Sequence, residues 1–141
     1  MSPSELEWVT LQNNFEQYER CCLAVKLFAV AVFVVALLFS VSETLTLALL
    51  GVLWAQEAIL RTFQARLVSR LIEVEALIRT GDGAPMQLNT LWRARRGGLA
   101  AMLLEYVAAA ARPTVAFPHV ALILIDLVLL AGVAGETAFT I

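Results

Sequence analysis

Residues 23–41 read LAVKLFAVAVFVVALLFSV, nineteen positions with one charge, Lys26. At ~1.5 Å per helical residue, such a run covers the ~30 Å hydrocarbon layer of a bilayer. This stretch decides the class of fold: an all-α membrane protein. The rest of the composition agrees. Of the 141 residues, 60% are hydrophobic and 16% charged, with a mean hydropathy of +0.80. Soluble domains sit nearer 45–50% apolar and about 25% charged. The net charge of −2 advertises no nucleic-acid surface.

Upstream of this span the chain is polar but still helical. Ser2-Pro3-Ser4-Glu5 has the form of a capping box with proline in the first turn. Trp8, Leu11, Phe15, Tyr18 and Cys22 follow at spacings of three and four, which puts them on one helical seam. Glu5, Gln12, Asn13, Glu16 and Glu19 occupy the opposite face. A secretory signal would place its apolar core near residue 10. The first apolar run starts only at Cys21, so the first span is expected to stay in the mature protein. Cys21 and Cys22 are adjacent, point in different directions on a helix, and read as packing residues, with lipidation or metal binding as rivals.

Downstream, Ser40-Val41-Ser42-Glu43-Thr44 is a short polar break, with Ser40 and Glu43 spaced for a second capping box. The second span covers about residues 45–60 and contains Glu57. Its helical pattern continues through Leu60, Phe63, Leu67, Leu71, Val74 and Ile78 to about Thr80, where Gly81-Asp82-Gly83-Ala84-Pro85 makes a turn. A short turn makes the two helices antiparallel neighbours. Residues 1–80 are therefore expected to form one long helical hairpin whose water-side halves carry complementary charge, acidic before the first span and basic after the second. Residues 81–112 then hold a turn and one or two short helices. Residues 87–96 are amphipathic and basic, and residues 99–111 are apolar but too short to span, which suits a buried or interfacial helix. Residues 114–135 form the third span, with Pro118, His119 and Asp126 inside it, and residues 136–141 an outer tail.

Orientation follows from the basic residues. Eight of the ten lie between Arg61 and Arg112, and Arg20 and Lys26 flank the start of the first span. The positive-inside rule places the N-terminus and residues 81–112 in the cytoplasm and the C-terminus outside. Abundant Ala, Leu, Val and Arg beside a single Lys fit a GC-rich bacterial gene, hence the bacterial inner membrane.

Four groups of residues carry chemistry worth following. Asp126 lies near the midplane, about 12 residues into the third span. A carboxylate there costs ~2.5–3.5 kcal/mol on insertion scales. It reads as a proton or ion site, a pore lining or an assembly contact, against a neutral Asp hydrogen-bonded across helices. Lys26 and Glu57 fall at matched depth on neighbouring helices and are expected to form a structural ion pair, the rival being Lys26 snorkelling alone. Trp92, Arg93, Arg95 and Arg96, next to membrane helices, fit contact with anionic lipid head groups, and otherwise a protein partner or a solvated face. The aromatic residues of the seam are expected to be core, the rival being a ligand box. His119, the only histidine, is assigned packing, because one histidine cannot complete a metal site from the ligands at hand.

The sequence holds no Walker A loop, GxGxxG, CxxC, HExxH or nucleophile elbow. The expectation is a non-enzyme without cofactor or metal. In outline, residues 1–80 resemble small two-span bacterial membrane effectors, a class associated with oligomeric pores. That resemblance is architectural, rests on no motif, and does not imply the third span. Three functions remain in view. The first is helix–helix assembly, as a homo-oligomer or as an accessory subunit of a membrane complex, favoured by small-residue surfaces at Gly51, residues 108–111, Gly132 and Gly135. The second is an oligomeric channel or pore with Asp126 in the membrane. The third is an immunity or defence protein against a membrane toxin.

Overall fold

The computed structural model describes residues 2–81, 84–95 and 97–139, with 95 and 133–139 by backbone alone. Five helices account for nearly all of it: α1 (Pro3–Leu38), α2 (Glu43–Thr80), α3 (Leu88–Arg95), α4 (Leu99–Ala110) and α5 (Pro113–Phe139). Three of them, α1, α2 and α5 over Pro113–Gly132, are long and apolar enough to cross a membrane.

α1 starts where its cap dictates. The Glu5 amide donates to Ser2 Oγ at 3.3 Å, and the Ser2 amide donates to Glu5 Oε2 at 2.6 Å, with proline in the first turn. This satisfies amides that a helix N-terminus would otherwise leave orphaned. The second capping box is not formed. Ser42, not Ser40, caps α2, and its side chain makes no cap bond. Ser40 sits instead in the left-handed region at φ +52°, where it helps reverse the chain between α1 and α2. α2 ends on Gly81, left-handed at φ +74°, whose amide donates to the Leu77 carbonyl. Glycine carries no Cβ penalty there.

The first two helices have 36 and 38 residues. At ~1.5 Å per residue each is nearly twice as long as the ~30 Å apolar layer of a bilayer. Their partners show the direction of packing. Glu7 meets Arg70 and Trp8 meets Glu75 at one end, Lys26 meets Glu57 in the middle, and Phe33 clusters with Leu50 and Leu53 at the other. Partner numbers fall as α1 numbers rise, which is an antiparallel pair.

Three apolar clusters hold the bundle. Leu11, Leu67, Leu71 and Val74 fill the polar-flanked end, with Trp8, Phe15 and Tyr18 of the seam packed against them. Ala29, Phe33, Leu50, Leu53 and Leu122 fill the apolar end, joining α1, α2 and α5. Ala58, Ala109 and Val115 join α2 to α4 and the start of α5. Cys22 is buried and Cys21 exposed, and both are free thiols.

α4 departs from the buried alternative for residues 99–111. Only Ala109 on this helix is buried, while Leu99, Leu103, Leu104 and Val107 are exposed. Those four positions fall on one face at ~100° per residue. Glu105 and Ala109, which meet α2, fall on the other. α5 bends at Phe117 (φ −83°, ψ 129°), the residue before Pro118. The proline ring disfavours helical backbone at the preceding position.

Candidate functional site: a buried polar junction

Glu57 sits on the face of α2 that meets both α1 and α5. Its side chain and that of His119 are fully buried, at 0% exposure. His119 Nε2 lies 2.9 Å from Glu57 Oε2. An ionised carboxylate only accepts, so in the ion-paired form the imidazole donates from Nε2. On the other side of the carboxylate, Lys26 Nζ approaches Glu57 Oε1 to 3.3 Å and also donates to the Thr114 carbonyl at the head of α5. Lys26 and Glu57 are thus brought together, and Lys26 ties all three spans to one point. Trp54 Nε1 reinforces the same level by donating to the Ala110 carbonyl at 3.2 Å, which holds the end of α4 against α2.

The junction continues toward the N-terminal half of α1. Arg61, one turn beyond Glu57, has its Nε 3.9 Å from Glu57 Oε1 and donates from Nη1 to Glu19 Oε1 at 2.7 Å and to Gln64 Oε1 at 2.8 Å. Gln64 Nε2 donates to the same Glu19 oxygen at 2.8 Å. Burial raises the Glu19 carboxyl, but the hydrogen bonds from Arg61 and Gln64 outweigh it and hold the group below its ordinary value. Glu19 is 45% exposed, so polar side chains lead from buried Glu57 to the surface, with a 3.9 Å step between Glu57 and Arg61.

Farther along the pair, Glu7 and Arg70 form a two-pronged ion pair, with Arg70 Nε to Oε1 at 2.9 Å and Nη2 to Oε2 at 3.2 Å. Their side chains are only 7% and 5% exposed. The Met86 amide also donates to Glu7, and the Ala84 carbonyl accepts from Arg70. The pair therefore fastens the chain after α2 back onto the hairpin. Burial raises the Glu7 carboxyl, and the bonds from Arg70 and Met86 more than reverse this, leaving it below 4.5.

Asp126 lies seven residues beyond His119, two turns along the same face of α5. It is 3% exposed, so it points into the protomer rather than toward lipid. Its Oδ2 has no hydrogen-bond partner, and the cross-helix bond that a structural Asp would make is not present at that oxygen. Glu57 Oε1, Arg61 Nε and His119 Nδ1 are likewise buried without a hydrogen-bond partner. Between the two sites, Leu122 packs with Ala29, Phe33, Leu50 and Leu53.

Trp92 is turned toward α2, where the Arg66 guanidinium lies 5.0 Å from its ring and 4.9 Å from that of Phe63. Arg66 also meets Glu105 of α4 at 3.4 Å. Together with Tyr18, Arg70 and Glu73 these side chains line a cavity of about 450 Å³ between α2, α3 and α4. Arg93 is exposed, the Arg95 side chain is outside the described atoms, and Arg96 is outside the described residues. Among the described residues no three His, Cys, Asp or Glu side chains group as metal ligands.

The part of the junction that sequence reasoning missed is His119, read there as packing. A signal existed, since His119 stands at the same end of its span as Lys26 and Glu57 do of theirs. Depth matching alone would have grouped the three. Glu7 and Arg70 were visible only as members of oppositely charged helices, not as a specific pair. Comparison with protein families, curated proteins and solved structures finds no match for this chain.

Proposed function

We propose that this chain is a non-catalytic protein of the bacterial inner membrane that works through helix–helix assembly, as a homo-oligomer in the first instance. In this reading the N-terminus and residues 81–112 face the cytoplasm, as the distribution of Arg and Lys favours. The polar halves of α1 and α2 then project from the membrane as a stiff rod cross-linked by Glu7–Arg70 and Glu19–Arg61.

The observation that carries the reading is the unused small-residue surface of the spans. A Cβ added at Gly51 or Gly132 would meet nothing within 4 Å, so no described helix packs closely on either position. Small residues let helix backbones approach closely in lipid, where packing rather than water exclusion drives association. Gly135 falls where the backbone alone is described. Native mass spectrometry from nanodiscs tests the reading. The wild type is expected to give a defined oligomer, and Gly51→Leu to shift it toward monomer. A wild type that remains monomeric at every protein-to-lipid ratio would remove the proposal. Reporter fusions at residues 1, 85 and 141 test the orientation, and an outside signal at 85 overturns it.

A further inference from the structure

We propose that one protomer contains a proton path through its three spans, with Glu57–His119 and Asp126 as two stations on either side of an apolar gate formed by Leu122 and its neighbours. The path needs no second copy, so it stands or falls separately from assembly.

The geometry supplies each part. On one side, Glu19, Arg61 and Gln64 link the surface to the buried Glu57 carboxylate by successive contacts of 2.7–3.9 Å. Glu57 meets His119 Nε2, and the other imidazole nitrogen, Nδ1, is buried with no hydrogen-bond partner. Asp126 offers a second unpartnered oxygen farther along α5. Seven helical residues separate these two groups by ~10 Å, and positions seven apart share a face. Leu122 stands between them on that face, in a layer with Ala29, Phe33, Leu50 and Leu53. Polar atoms that are buried and unpartnered are costly in a low-dielectric interior, and a relay is a function that requires them. At the end of the bundle opposite Glu19, Glu43 stands part-exposed at the head of α2.

The chemistry selects a proton over a metal cation. Glu57 already has Lys26 and Arg61 within 4 Å, and two fixed positive charges repel a third cation. Hard cations need about six oxygen ligands, whereas a proton needs one lone pair. In the transfer step, protonated Asp126 releases its proton through internal water to the Nδ1 lone pair. The Nε2 proton then passes to Glu57 Oε2, leaving neutral His119 in the other tautomer, Asp126 ionised and Glu57 protonated. Glu57 releases the proton through water, past Arg61, to Glu19 and the surface, Asp126 takes up another from the Glu43 side, and His119 gains a proton from water at Nε2 as it loses one at Nδ1, which restores the first tautomer. One proton crosses and no other atom is exchanged. Lys26 and Arg61 keep their charges throughout.

The full chain is reconstituted into phosphatidylethanolamine–phosphatidylglycerol vesicles holding a pH-sensitive dye, and a potassium diffusion potential drives the flux. Wild type is expected to acidify the lumen faster than protein-free vesicles, with no dependence on sodium. Asp126→Asn and His119→Phe are expected to cut the rate about tenfold or more, in line with removing one proton-transfer group, while Asp126→Glu retains it. Leu122→Ser, which wets the apolar layer, is expected to raise it. Helix content and melting in detergent report whether each variant folds. A wild type no faster than empty vesicles overturns the proposal, as does undiminished flux in folded Asp126→Asn. If Asp126→Asn does not fold, Leu122→Ser decides, and an unchanged rate there also overturns it.

Discussion

Around Glu57 the three spans bring Lys26, Arg61 and His119 to one carboxylate; around Asp126, two turns farther along α5, no described side chain hydrogen-bonds Oδ2. Both acids are buried in apolar helices, so the difference lies in their neighbours. At Glu57 the expense of burying charge is offset by two nearby positive charges and the hydrogen-bond contact with His119, and the group becomes a structural tie among α1, α2 and α5. At Asp126 nothing comparable offsets it. A buried acid kept without a partner is poorly explained by stability, which sets Asp126 apart from Glu57, whose neighbours also tie the helices together.

Removing the Glu57 carboxylate tests the first half of that contrast. Glu57→Ala leaves His119 fully buried without its acceptor, and takes the opposite charge from partly buried Lys26, which keeps only the Thr114 carbonyl. Truncating one member of a buried pair costs about 3–5 kcal/mol, so a large fall in melting temperature in detergent is expected. A loss below about 1 kcal/mol would rank this junction with exposed salt bridges.

Next in size is the Glu7–Arg70 pair. Arg70 keeps Glu73 at 3.3 Å as a second partner, so Glu7→Ala is expected to cost less, about 2 kcal/mol for hydrogen bonds to a charged group. The same pair sets an acid limit. The Glu7 carboxyl lies below its ordinary 4.5 in the folded chain. Its contribution is therefore fully present above about pH 4.5 and is lost as pH falls through the lower folded value. Glu19, lowered in the same sense, adds to the loss. Unfolding followed from pH 7 to pH 3 should show stability falling only in the acid range, and Glu7→Ala should flatten that fall. A profile identical in variant and wild type would count against the pair.

The smallest effect, and the one of opposite sign, belongs to Asp126. Asp126→Leu removes a buried oxygen that has no partner. Since an unsatisfied buried group costs ~1–3 kcal/mol, stability is expected to hold or rise by up to about 2 kcal/mol. A clear loss on denaturation would show that Asp126 has a structural partner and would erase the contrast with Glu57.

Much of the architecture was legible one residue at a time. The capping box at Ser2 and Glu5 and the left-handed stop at Gly81 are local chemistry, and the structure carries both. The core seam was legible as well, since Leu11, Leu67, Leu71 and Val74 follow helical spacing and are buried. Ser40 shows where such reading fails. Its spacing to Glu43 fits a cap, yet the tight reversal takes its backbone into the left-handed region and gives the cap position to Ser42. α4 fails differently, because apolar content says that leucines want a dry face without saying which face a neighbour covers.

The sequence by itself determined that this chain has three helices fit to cross a membrane, two of them prolonged well past it. Hydropathy and helical period are sums over adjacent residues and need no knowledge of what lies across the bundle. Only the tertiary structure decided that His119 is the partner of Glu57, that Glu7 and Arg70 lock together, and that Asp126 faces inward with an unpartnered oxygen. These pairs join residues 62 and 63 positions apart. Their meeting depends on how far each helix is rotated and shifted against its neighbour, and a rotation of one residue, ~100°, is enough to turn a buried tie into a surface charge.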